Sequence, residues 1–437
     1  MTDWAGRKLH FVAIGGAGMS GLALVCDQLG ATVTGSDRAD SSYVERLRGA
    51  GLEPRIGHDP DAVPADAEVV VSTAIGDDNP ELRRARERGQ RVIHRGELLA
   101  EVCSLRRLLA VAGTHGKTTT AGMLVHGLRA IGADPSFLLG GELPGAGPRG
   151  APANAGWGAG EWIVAEADES DGSFLRMRPE VAVVTNVELD HHSRWRTRAE
   201  LVEAFREFAA PAAGLALGAG EDLDRIVGPQ RVIRFDADKP GPGELRLSVP
   251  GWHNRFDARG AIAGAELAGA DPVAFADSLT GFPGMARRLE RKGVHRSGAI
   301  VYDDYAHHPT EVVASLEALR ELGPRRLIAV FQPHLYSRTR ALAPRFGRAL
   351  AGADAVGVVD VYAAREEPVG ELAGVSGLDV ARATADRSGG RPVWWLRDLE
   401  TAAAILDPRL RSGDLLVTVG AGDVFRVADA LVEELAQ

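Results

Sequence analysis

Lysine is scarce in this chain of 437 residues. Of its 50 basic residues only four are lysines, and these are Lys8, Lys117, Lys239 and Lys292. Alanine and glycine are abundant, so the preference for arginine is typical of a skewed genome composition. A lysine at a chemically demanding position is therefore more informative here than in an average sequence.

Paired cysteines, long apolar runs and clusters of basic residues are also missing. The two cysteines, Cys26 and Cys103, form no CxxC motif, which is typical of a reducing compartment. The N-terminal stretch has no signal-peptide pattern, and no charge-free apolar run approaches about 18 residues, so we expect a cytoplasmic protein with no membrane association. A net charge of −10 without basic patches argues against nucleic-acid binding. A small-molecule ligand is the better hypothesis.

Short apolar runs alternate with amphipathic stretches along the chain, which predicts α/β units with parallel sheets. At roughly 150 residues per domain, the length allows two to four domains. Three successive segments show the alternation, so we predict three tandem α/β domains at residues 1–106, 107–294 and 295–437. We expect a loop at 140–160, and the weak periodicity of 209–250 leaves its structure open.

A first glycine turn with the spacing GxGxxG is formed by Gly16, Gly18 and Gly21, between a strand and a helix expected from about Met19. Asp37 ends the next predicted strand, which completes the dinucleotide fingerprint. Glycines let the backbone approach a pyrophosphate, and the helix N-terminus attracts its charge. A UDP-sugar, NAD and a tight turn that binds nothing all remain open at this point.

The second glycine turn, GTHGKTTT, follows a predicted strand and opens a helix, as a phosphate loop does. It is shorter than the standard GxxxxGK[ST] spacing but keeps the functional residues. Backbone N–H groups would surround phosphates, Lys117 would reach the β and γ oxygens, and the Thr118 hydroxyl would bind Mg²⁺. Because lysine is so rare here, its presence in this turn favours ATP binding over coincidence.

Two further strand ends carry candidate metal ligands. Glu166 ends the strand WIVA within the acidic run EADESD, and His191 follows the strand VAVVTN. Carboxyl ends of parallel strands meet at one edge of a sheet, so both side chains are expected beside the phosphate loop. Solvated loop residues are the alternative interpretation, and the position after successive strands favours metal binding.

The third segment places polar residues after two predicted strands, in DDYAHHP at 303–309 and FQPHLYSRT at 331–339. Histidine, tyrosine and arginine at this edge would recognise a substrate carboxylate or contact a nucleotide. Ordinary loop polarity is the alternative, and spacing alone does not exclude it.

Taken together, these motifs resemble the Mur ligase family from about Leu9 to Val424. The family's order is followed by HFVAIGGAGMSGLA, AGTHGKTTT, EADESDGSFL, TNVELDH, PGWHN, GMARRLE, DDYAHHPTE and FQPHLYSRT. The resemblance implies an N-terminal Rossmann-like domain that binds a UDP-sugar and a central P-loop ATPase domain. It also implies a C-terminal Rossmann-like domain that binds an amino acid.

The resemblance implies roles for individual residues as well. Those implied for the UDP-sugar are Gly16, Ala17, Gly18, Met19, Ser20, Asp37 and Ser72. Those implied for ATP are Gly113, Thr114, His115, Gly116, Lys117, Thr118, Thr119, His253, Asn254, Arg288 and Asp304. The amino acid would contact Tyr305, His334 and Arg338, and Mg²⁺ would be held by Thr118, Glu166 and His191. The residues implied in catalysis are Lys117, Glu166, His191, Arg288, His334 and Arg338.

The implied reaction joins L-alanine to the lactyl carboxylate of UDP-N-acetylmuramate, using ATP and an acyl phosphate, in cytoplasmic peptidoglycan precursor synthesis. Within the family, the alternative is a recycling ligase that attaches an intact tripeptide, and FQPHLYSRT favours the amino-acid enzyme. Outside it, an NAD-dependent oxidoreductase would explain the first glycine turn but not the phosphate loop. A binding module or switch ATPase would leave the polar residues of the third segment unused.

Four residues depart from the family's usual pattern: Leu335 replaces Arg, Ser193 replaces Asp, Asp257 replaces Asn and Leu289 replaces Phe. Leu335 removes a cation beside the expected amino-acid pocket, so the identity of the acceptor is the most open part of the prediction. No lysine lies between Lys117 and Lys239, so the carbamylated lysine that some relatives place on a second metal is expected to be absent.

Overall fold

The computed structural model describes residues 4–189, 194–220, 223–243, 245–364 and 366–433. It contains three separate sheets and two compact units. The first unit runs to Leu247 and includes Arg255–Pro283, and it holds the first two sheets. The second unit comprises Ser248–Asn254 and the chain from Gly284 onwards, with the third sheet. The predicted fold class, three tandem α/β domains built on largely parallel sheets, is confirmed.

The first sheet is fully parallel, with the strand order β3-β2-β1-β4-β5. Its strands are β1 (Lys8–Val12), β2 (Thr32–Asp37), β3 (Arg55–Ile56), β4 (Glu68–Val71) and β5 (Val92–His94). Its helices are α1 (Ala17–Gln28), α2 (Ser42–Gly49), α3 (Pro80–Glu87) and α4 (Arg95–Cys103). This order is that of a nucleotide-binding α/β half-domain.

Helix α1 begins two residues earlier than the sequence pattern predicts. The N–H of Gly16 bonds the carbonyl of Ala13 at 3.3 Å, and Ala13 has a left-handed φ of 61°. This tight turn reverses the chain quickly enough for the helix to start at Ala17 rather than at about Met19.

The second sheet has the order β12-β11-β10-β6-β9-β7-β8, and β8 is its only antiparallel strand among the described residues. Its strands are β6 (Arg107–Ala112), β7 (Ser136–Leu143), β8 (Ala153–Gly156), β9 (Trp162–Glu166), β10 (Val181–Val184), β11 (Gly214–Gly218) and β12 (Arg231–Phe235). Its helices are α5 (Lys117–Ala130), α6 (Arg198–Ala209), α7 (Trp252–Leu267) and α8 (Pro272–Ser278). Strand β6 lies centrally and is buried on both faces after its first residue.

The expected loop at 140–160 is partly wrong, because β7 extends to Leu143 and β8 occupies Ala153–Gly156. The sequence ANAG has little intrinsic strand preference, and pairing with β7 makes it a strand. The region left open at 209–250 contains β11 and β12, which extend the sheet at its other edge.

Helix α1 packs closely on the edge strand β8 of the second sheet. A Cβ on Gly21 would lie 3.0 Å from the Cβ of Ala155, so a small residue is needed there. The side-chain amide of Asn154 donates to the carbonyl of Ala17 at 2.7 Å. Through these contacts the buried core of the first unit is continuous between its two sheets.

The third sheet has the order β13-β14-β18-β15-β16-β17, with β13 antiparallel to β14. Its strands are β13 (Glu290–Val294), β14 (Ile300–Asp304), β15 (Arg326–Phe331), β16 (Ala355–Val359), β17 (Val393–Arg397) and β18 (Asp414–Val419). Its helices are α9 (Pro309–Glu321), α10 (Tyr336–Leu350), α11 (Gly377–Ala385), α12 (Leu399–Leu406) and α13 (Phe425–Glu433). The predicted domain boundary at 294/295 divides this sheet, because β13 lies N-terminal to it; the domain boundaries otherwise stay a prediction.

Helix starts in the second unit follow local capping chemistry. His308 and Glu311 form a reciprocal capping box around Pro309 at the start of α9, and Ser376 forms one with Asp379 at α11. Within the described part of the chain, every helix is too short or too polar to cross a membrane.

Candidate active site

The phosphate loop connects β6 to α5 through two glycines in positive-φ conformations. Gly113 has φ 137° and Gly116 has φ 82°. A Cβ on Gly113 would lie 2.0 Å from Thr185 Oγ1, and one on Gly116 would lie 2.2 Å from Asp257 Oδ1. Both the backbone conformation and the close packing therefore require glycine.

Residues after β10 hold the loop in place. Thr185 Oγ1 donates to the carbonyl of His115 at 2.6 Å, and the side chain of Asn186 bonds both the carbonyl and the N–H of His115, at 3.0 and 2.9 Å. The imidazole of His115 lies 2.9 Å from Glu188 Oε2. The loop backbone is fixed by these contacts, so its N–H groups are preorganised to surround an anion.

Lys117 is held within the loop by carbonyls and carboxylates. Its Nζ donates to the carbonyl of Gly113 at 2.6 Å and to Glu169 Oε2 at 2.9 Å. Burial alone would lower the pKa of Lys117, but three nearby carboxylates raise it above its ordinary value. They belong to Glu169, Asp168 and Glu166. The ammonium group therefore stays charged at neutral pH.

Thr118 and Glu166 meet at the carboxyl edge of the second sheet, as predicted. Thr118 Oγ1 donates to Glu166 Oε2 at 2.9 Å, and the backbone N–H of Gly140 donates to the same carboxylate oxygen at 2.9 Å. A hydroxyl and a carboxylate at this spacing form a hard-oxygen donor set. The third predicted ligand, His191, and the departure at Ser193 lie outside the described residues.

Sequence reasoning missed several side chains that shape this site. Glu169 belongs to the acidic run EADESD, but the sequence did not predict that it pairs with Lys117. Asn186 directly follows a buried strand, and the strand end was the available signal. Asp257, identified from the sequence only as a departure from the family pattern, lies against Gly116. Thr119, which was among the residues implied for ATP, is buried beside the loop on α5.

The first glycine turn is stabilised by Asp37, whose Oδ2 accepts the N–H of Gly15 at 2.8 Å. Gly16 caps α1 in an extended conformation, and a Cβ there would find its nearest neighbour at 3.7 Å, so the space beside it is open. A Cβ on Gly18 would lie 2.8 Å from the guanidinium of Arg95, whose side chain faces the turn.

The remaining residues implied for the UDP-sugar differ in exposure. Met19 and Ser20 are buried, and Ser20 Oγ donates to the carbonyl of Ala17 at 3.1 Å. Ser72 follows β4, and its Oγ accepts from the N–H of Ala74 at 3.4 Å. Ser20 therefore has a structural contact within α1, while Ser72 lies at the carboxyl edge of the sheet.

In the second unit, Arg288 lies between two residues with strained backbone. Arg287 has φ 58° and Leu289 has φ 48°, in the left-handed region that non-glycine residues rarely adopt. The guanidinium of Arg288 lies over the Tyr305 ring at 4.9 Å, and that of Arg287 donates to Asp303 Oδ2 at 3.0 Å. Strained backbone of this kind often lies at functional sites.

Asp304 ends β14 and is almost fully buried. Burial raises the pKa of Asp304 to about 6, although the Ser315 hydroxyl bonds its carboxylate and favours the charged form. The N–H of Ala306 donates to the other carboxylate oxygen at 3.1 Å.

Four aromatic rings form a continuous row along the carboxyl edge of the third sheet. Tyr305 and His307 have centroids 5.5 Å apart, His307 and His334 are 6.1 Å apart, and His334 and Tyr362 stack at 5.8 Å. Arg338, in the first turn of α10, brings its Nη1 within 3.4 Å of His334 Nδ1. His307 and Tyr362 were missed as site residues, although His307 stands in the noted DDYAHHP motif.

Leu335 occupies an unusual backbone position at the start of α10, with φ 69°. Its N–H donates to the carbonyl of Tyr362 at 3.0 Å.

Elsewhere in this unit, the buried side chain of Asn254 donates to the carbonyl of Pro250 at 2.6 Å, beside His253 at the start of α7. The contact between Asn254 and Pro250 does not test the role in ATP binding implied for His253 and Asn254.

Comparison with known families matches three consecutive parts of the chain. Residues 8–107 match the model described as Mur ligase family, catalytic domain, residues 111–217 match Mur ligase middle domain, and residues 287–422 match Mur ligase, glutamate ligase domain. The first match contains the GxGxxG turn, which places that turn in this family rather than in an oxidoreductase.

Individual relatives extend the similarity over almost the whole chain. The UDP-N-acetylmuramate–L-alanine ligase of Kineococcus radiotolerans is 45% identical, over 98% of this chain and 96% of its own length. That of Rubrobacter xylanophilus is 43% identical, over 98% and 100%. The crystal structure of UDP-N-acetylmuramate-alanine ligase MurC from Thermotoga maritima superposes with a TM-score of 0.84 at 26% identity, covering 98% of this chain and 99% of that one. With three family models matched in order and such relatives along nearly its full length, this protein belongs to the Mur ligase family.

Proposed function

We propose that this protein joins L-alanine to the lactyl carboxylate of UDP-N-acetylmuramate in an ATP-dependent reaction of peptidoglycan precursor synthesis. The observation that carries the proposal is a complete phosphate loop, with Lys117 and the Thr118–Glu166 pair at one sheet edge, in a chain 45% identical to a ligase of that name. The expected cytoplasmic location goes with this function, and it is supported by two buried cysteines that form no disulfide.

ATP would bind with its phosphates on the loop from Gly113 to Thr119. The preorganised N–H groups and the charged Lys117 supply the attraction that a chain of net charge −10 does not supply overall. Glu169, which pairs with Lys117 in the free protein, would be replaced as its partner by phosphate oxygens. The resemblance assigns the adenine side to His253 and Asn254, the ribose to Asp304 and the phosphates also to Arg288.

The Thr118–Glu166 pair fits a magnesium ion. Adjacent ligands of an octahedral Mg²⁺ at about 2.1 Å lie about 3 Å apart, and the two side-chain oxygens lie 2.9 Å apart. When bound there, Mg²⁺ would neutralise charge on the phosphates of ATP. His191 is proposed as a further ligand from the sequence alone.

The sugar nucleotide would bind at the first glycine turn, where the space beside Gly16 is open and the N-terminus of α1 favours a pyrophosphate. L-Alanine would bind at the ring row of the third sheet. Arg338 would pair with its carboxylate, while Tyr305 and His334 would form the walls. Leu335 is apolar and cannot pair with a carboxylate, so Arg338 is the proposed partner of the L-alanine carboxylate at this edge.

The chemistry follows from the weakness of a carboxylate as an electrophile. The lactyl carboxylate attacks the γ-phosphorus of ATP, ADP leaves, and an acyl phosphate forms. The amine of L-alanine then attacks the acyl carbon, and inorganic phosphate leaves from the tetrahedral intermediate to give the amide. The resemblance assigns to Lys117 and Arg288 the neutralisation of the negative charge that moves between oxygens, so positioning and electrostatics would provide the acceleration.

The test measures phosphate release from ATP with UDP-N-acetylmuramate and, separately, L-alanine, L-serine, glycine and the cell-wall tripeptide. We expect L-alanine to stimulate release most strongly. Lys117→Met should abolish turnover and retain UDP-N-acetylmuramate binding. Stimulation by the tripeptide alone would assign the recycling reaction instead, and release stimulated by none of the acceptors would refute the proposal.

A further inference from the structure

A cavity of about 130 Å³ lies beside the edge strand β12 in the first compact unit. Its walls are the C-terminal end of β12, the loop Lys239–Pro242 and one face of α7. None of the roles proposed for ATP, the sugar nucleotide or the amino acid uses the residues that line it.

Arg259 on α7 lines this cavity with an incompletely satisfied guanidinium group. Its Nε and Nη1 are buried, and neither has a hydrogen-bond partner among the residues that the structure describes. Burial lowers the pKa of Arg259 from its ordinary value. Buried N–H groups of a cation destabilise a fold when they have no hydrogen-bond acceptor. An acceptor bound in the cavity would therefore lower the free energy of the folded protein.

Two ion pairs at the cavity wall are already balanced. Glu266 pairs with Arg231 at 2.8 Å, and Arg234 pairs with Asp224. These two pairs add no net charge to the cavity wall.

Among the described residues that line the cavity, the remaining charged side chains leave it positive. Lys239 is exposed in the lining loop, and Asp236 ends the strand wall. Asp236 accepts the N–H of Asp238 at 3.4 Å and supplies one negative charge against the two cations Lys239 and Arg259. The balance of about one positive charge suits a small monoanionic group.

The cavity is separate from the phosphate loop. Asp257 lies against Gly116 of that loop, and Arg259 follows two residues later on the same helix. Two residues correspond to about 200° around an α-helix, so Arg259 projects from the opposite face. An anion at Arg259 therefore lies across α7 from the ATP phosphates.

The absence of a side chain at Gly241 leaves room for the guanidinium group of Arg259. A Cβ on Gly241 would lie 2.5 Å from Arg259 Nη1, and its neighbours Pro240 and Pro242 restrict the loop backbone. Gly241 has no positive φ, so alanine there would displace the arginine side chain without straining the backbone.

We propose that this cavity is a binding site for a small oxyanion, a carboxylate or phosphate group held by Arg259 with Lys239 at its mouth. The anion accepts from the two buried N–H groups that have no acceptor among the described residues. The site is independent of the proposed ligase reaction and does not require ATP to be bound.

The test follows the Nε–H resonance of Arg259 by ¹H–¹⁵N NMR, assigned through its disappearance in Arg259→Met. Inorganic phosphate and acetate are titrated separately into the full-length protein at constant ionic strength. We expect a saturable shift with at least one anion. The anion that binds more tightly identifies the bound group as a phosphate or a carboxylate. Gly241→Ala should weaken binding by about tenfold or more, the loss of a charge-assisted hydrogen bond.

Two controls make the result specific. Arg206→Met removes an exposed, ion-paired arginine from α6 and should leave the titration unchanged. Lys117→Ala should also leave it unchanged, because Lys117 serves the phosphate loop. A shift that fails to saturate, or is absent with both anions, overturns the proposal. Loss of the shift in Lys117→Ala would place the anion at the phosphate loop and overturn it equally.

Discussion

The Nζ of Lys117 lies 2.9 Å from Oε2 of Glu169, a side chain that is only 1% exposed. In the free protein, the cation proposed to hold the γ-phosphate is thus neutralised by an internal carboxylate. This pair holds Lys117 at the phosphate loop, where we propose that a phosphate replaces Glu169 as its partner.

Glu169→Gln should destabilise the free protein, because it leaves Lys117 buried without its closest counter-charge. Removing one partner of a buried pair costs about 3 kcal/mol or more, although Asp168 and Glu166 partly compensate here. Urea unfolding followed by circular dichroism measures the change. Glu207→Gln, on the exposed side of α6, is the matched control. A loss no larger than in the control would show that the pair does not stabilise the fold.

Thr118→Ala should raise the Mg²⁺ concentration needed for half-maximal activity by about tenfold or more, because it removes one of the two proposed oxygen ligands. Thr118→Ser keeps the hydroxyl and should behave like the parent protein. Activity measured against Mg²⁺ at saturating ATP separates them. Equal Mg²⁺ dependence in the two variants would contradict metal binding by this hydroxyl.

Asp304 should make the protein less stable as the pH rises from about 4 to 6. Its pKa is about 6 in the folded chain and near 3.8 when unfolded, so the unfolded chain ionises first over this interval. The effect amounts to up to about 3 kcal/mol. Asp304→Asn lacks the titration, so its free energy of unfolding relative to the parent should rise across this window. A constant difference between the two proteins would refute the shift.

His307 should act in the opposite direction. Burial lowers the pKa of His307 to about 4, so the stability present above pH 6.5 is lost as the pH falls towards 4. The two effects partly cancel in the parent protein. Thermal unfolding of His307→Gln from pH 4.5 to 7 should show a weaker loss of stability on acidification than the parent. A steeper loss than in the parent would contradict this interpretation.

Gly16→Ala should leave the fold intact and weaken binding of UDP-N-acetylmuramate. A Cβ there has its nearest protein neighbour at 3.7 Å, and the φ of −70° suits alanine. Any loss of affinity, expected at about tenfold or more, therefore reports the close approach of the ligand. Calorimetric titration measures the affinity and the melting temperature checks the fold. Unchanged affinity would remove Gly16 from the binding site.

The phosphate loop could be predicted from the sequence because its determinants are local. A buried strand, glycines that permit positive φ and a helix starting at Lys117 are encoded within about ten residues of one another. Strand β8 could not be predicted in this way. Its residues have weak strand preference, and pairing with β7 decides their conformation.

The partners within the candidate site required the fold. Glu169 is 52 residues from Lys117, and Thr118 is 48 residues from Glu166, so no local pattern shows which carboxylate of the acidic run meets which side chain. The ring row joins residues that follow β14, β15 and β16, and only the order of strands in the sheet makes them neighbours.

The sequence by itself determined the α/β class, the two glycine turns and the importance of one rare lysine, since short-range backbone preferences and residue chemistry govern all three. Tertiary structure decided that Glu169 pairs with this lysine, and that two buried nitrogen atoms of Arg259 face a cavity with no acceptor among the described residues. Both features depend on side chains that the fold brings together from different strands and helices. Burial removes water from these groups, so a hydrogen-bond or ionic partner stabilises them and the lack of one destabilises them.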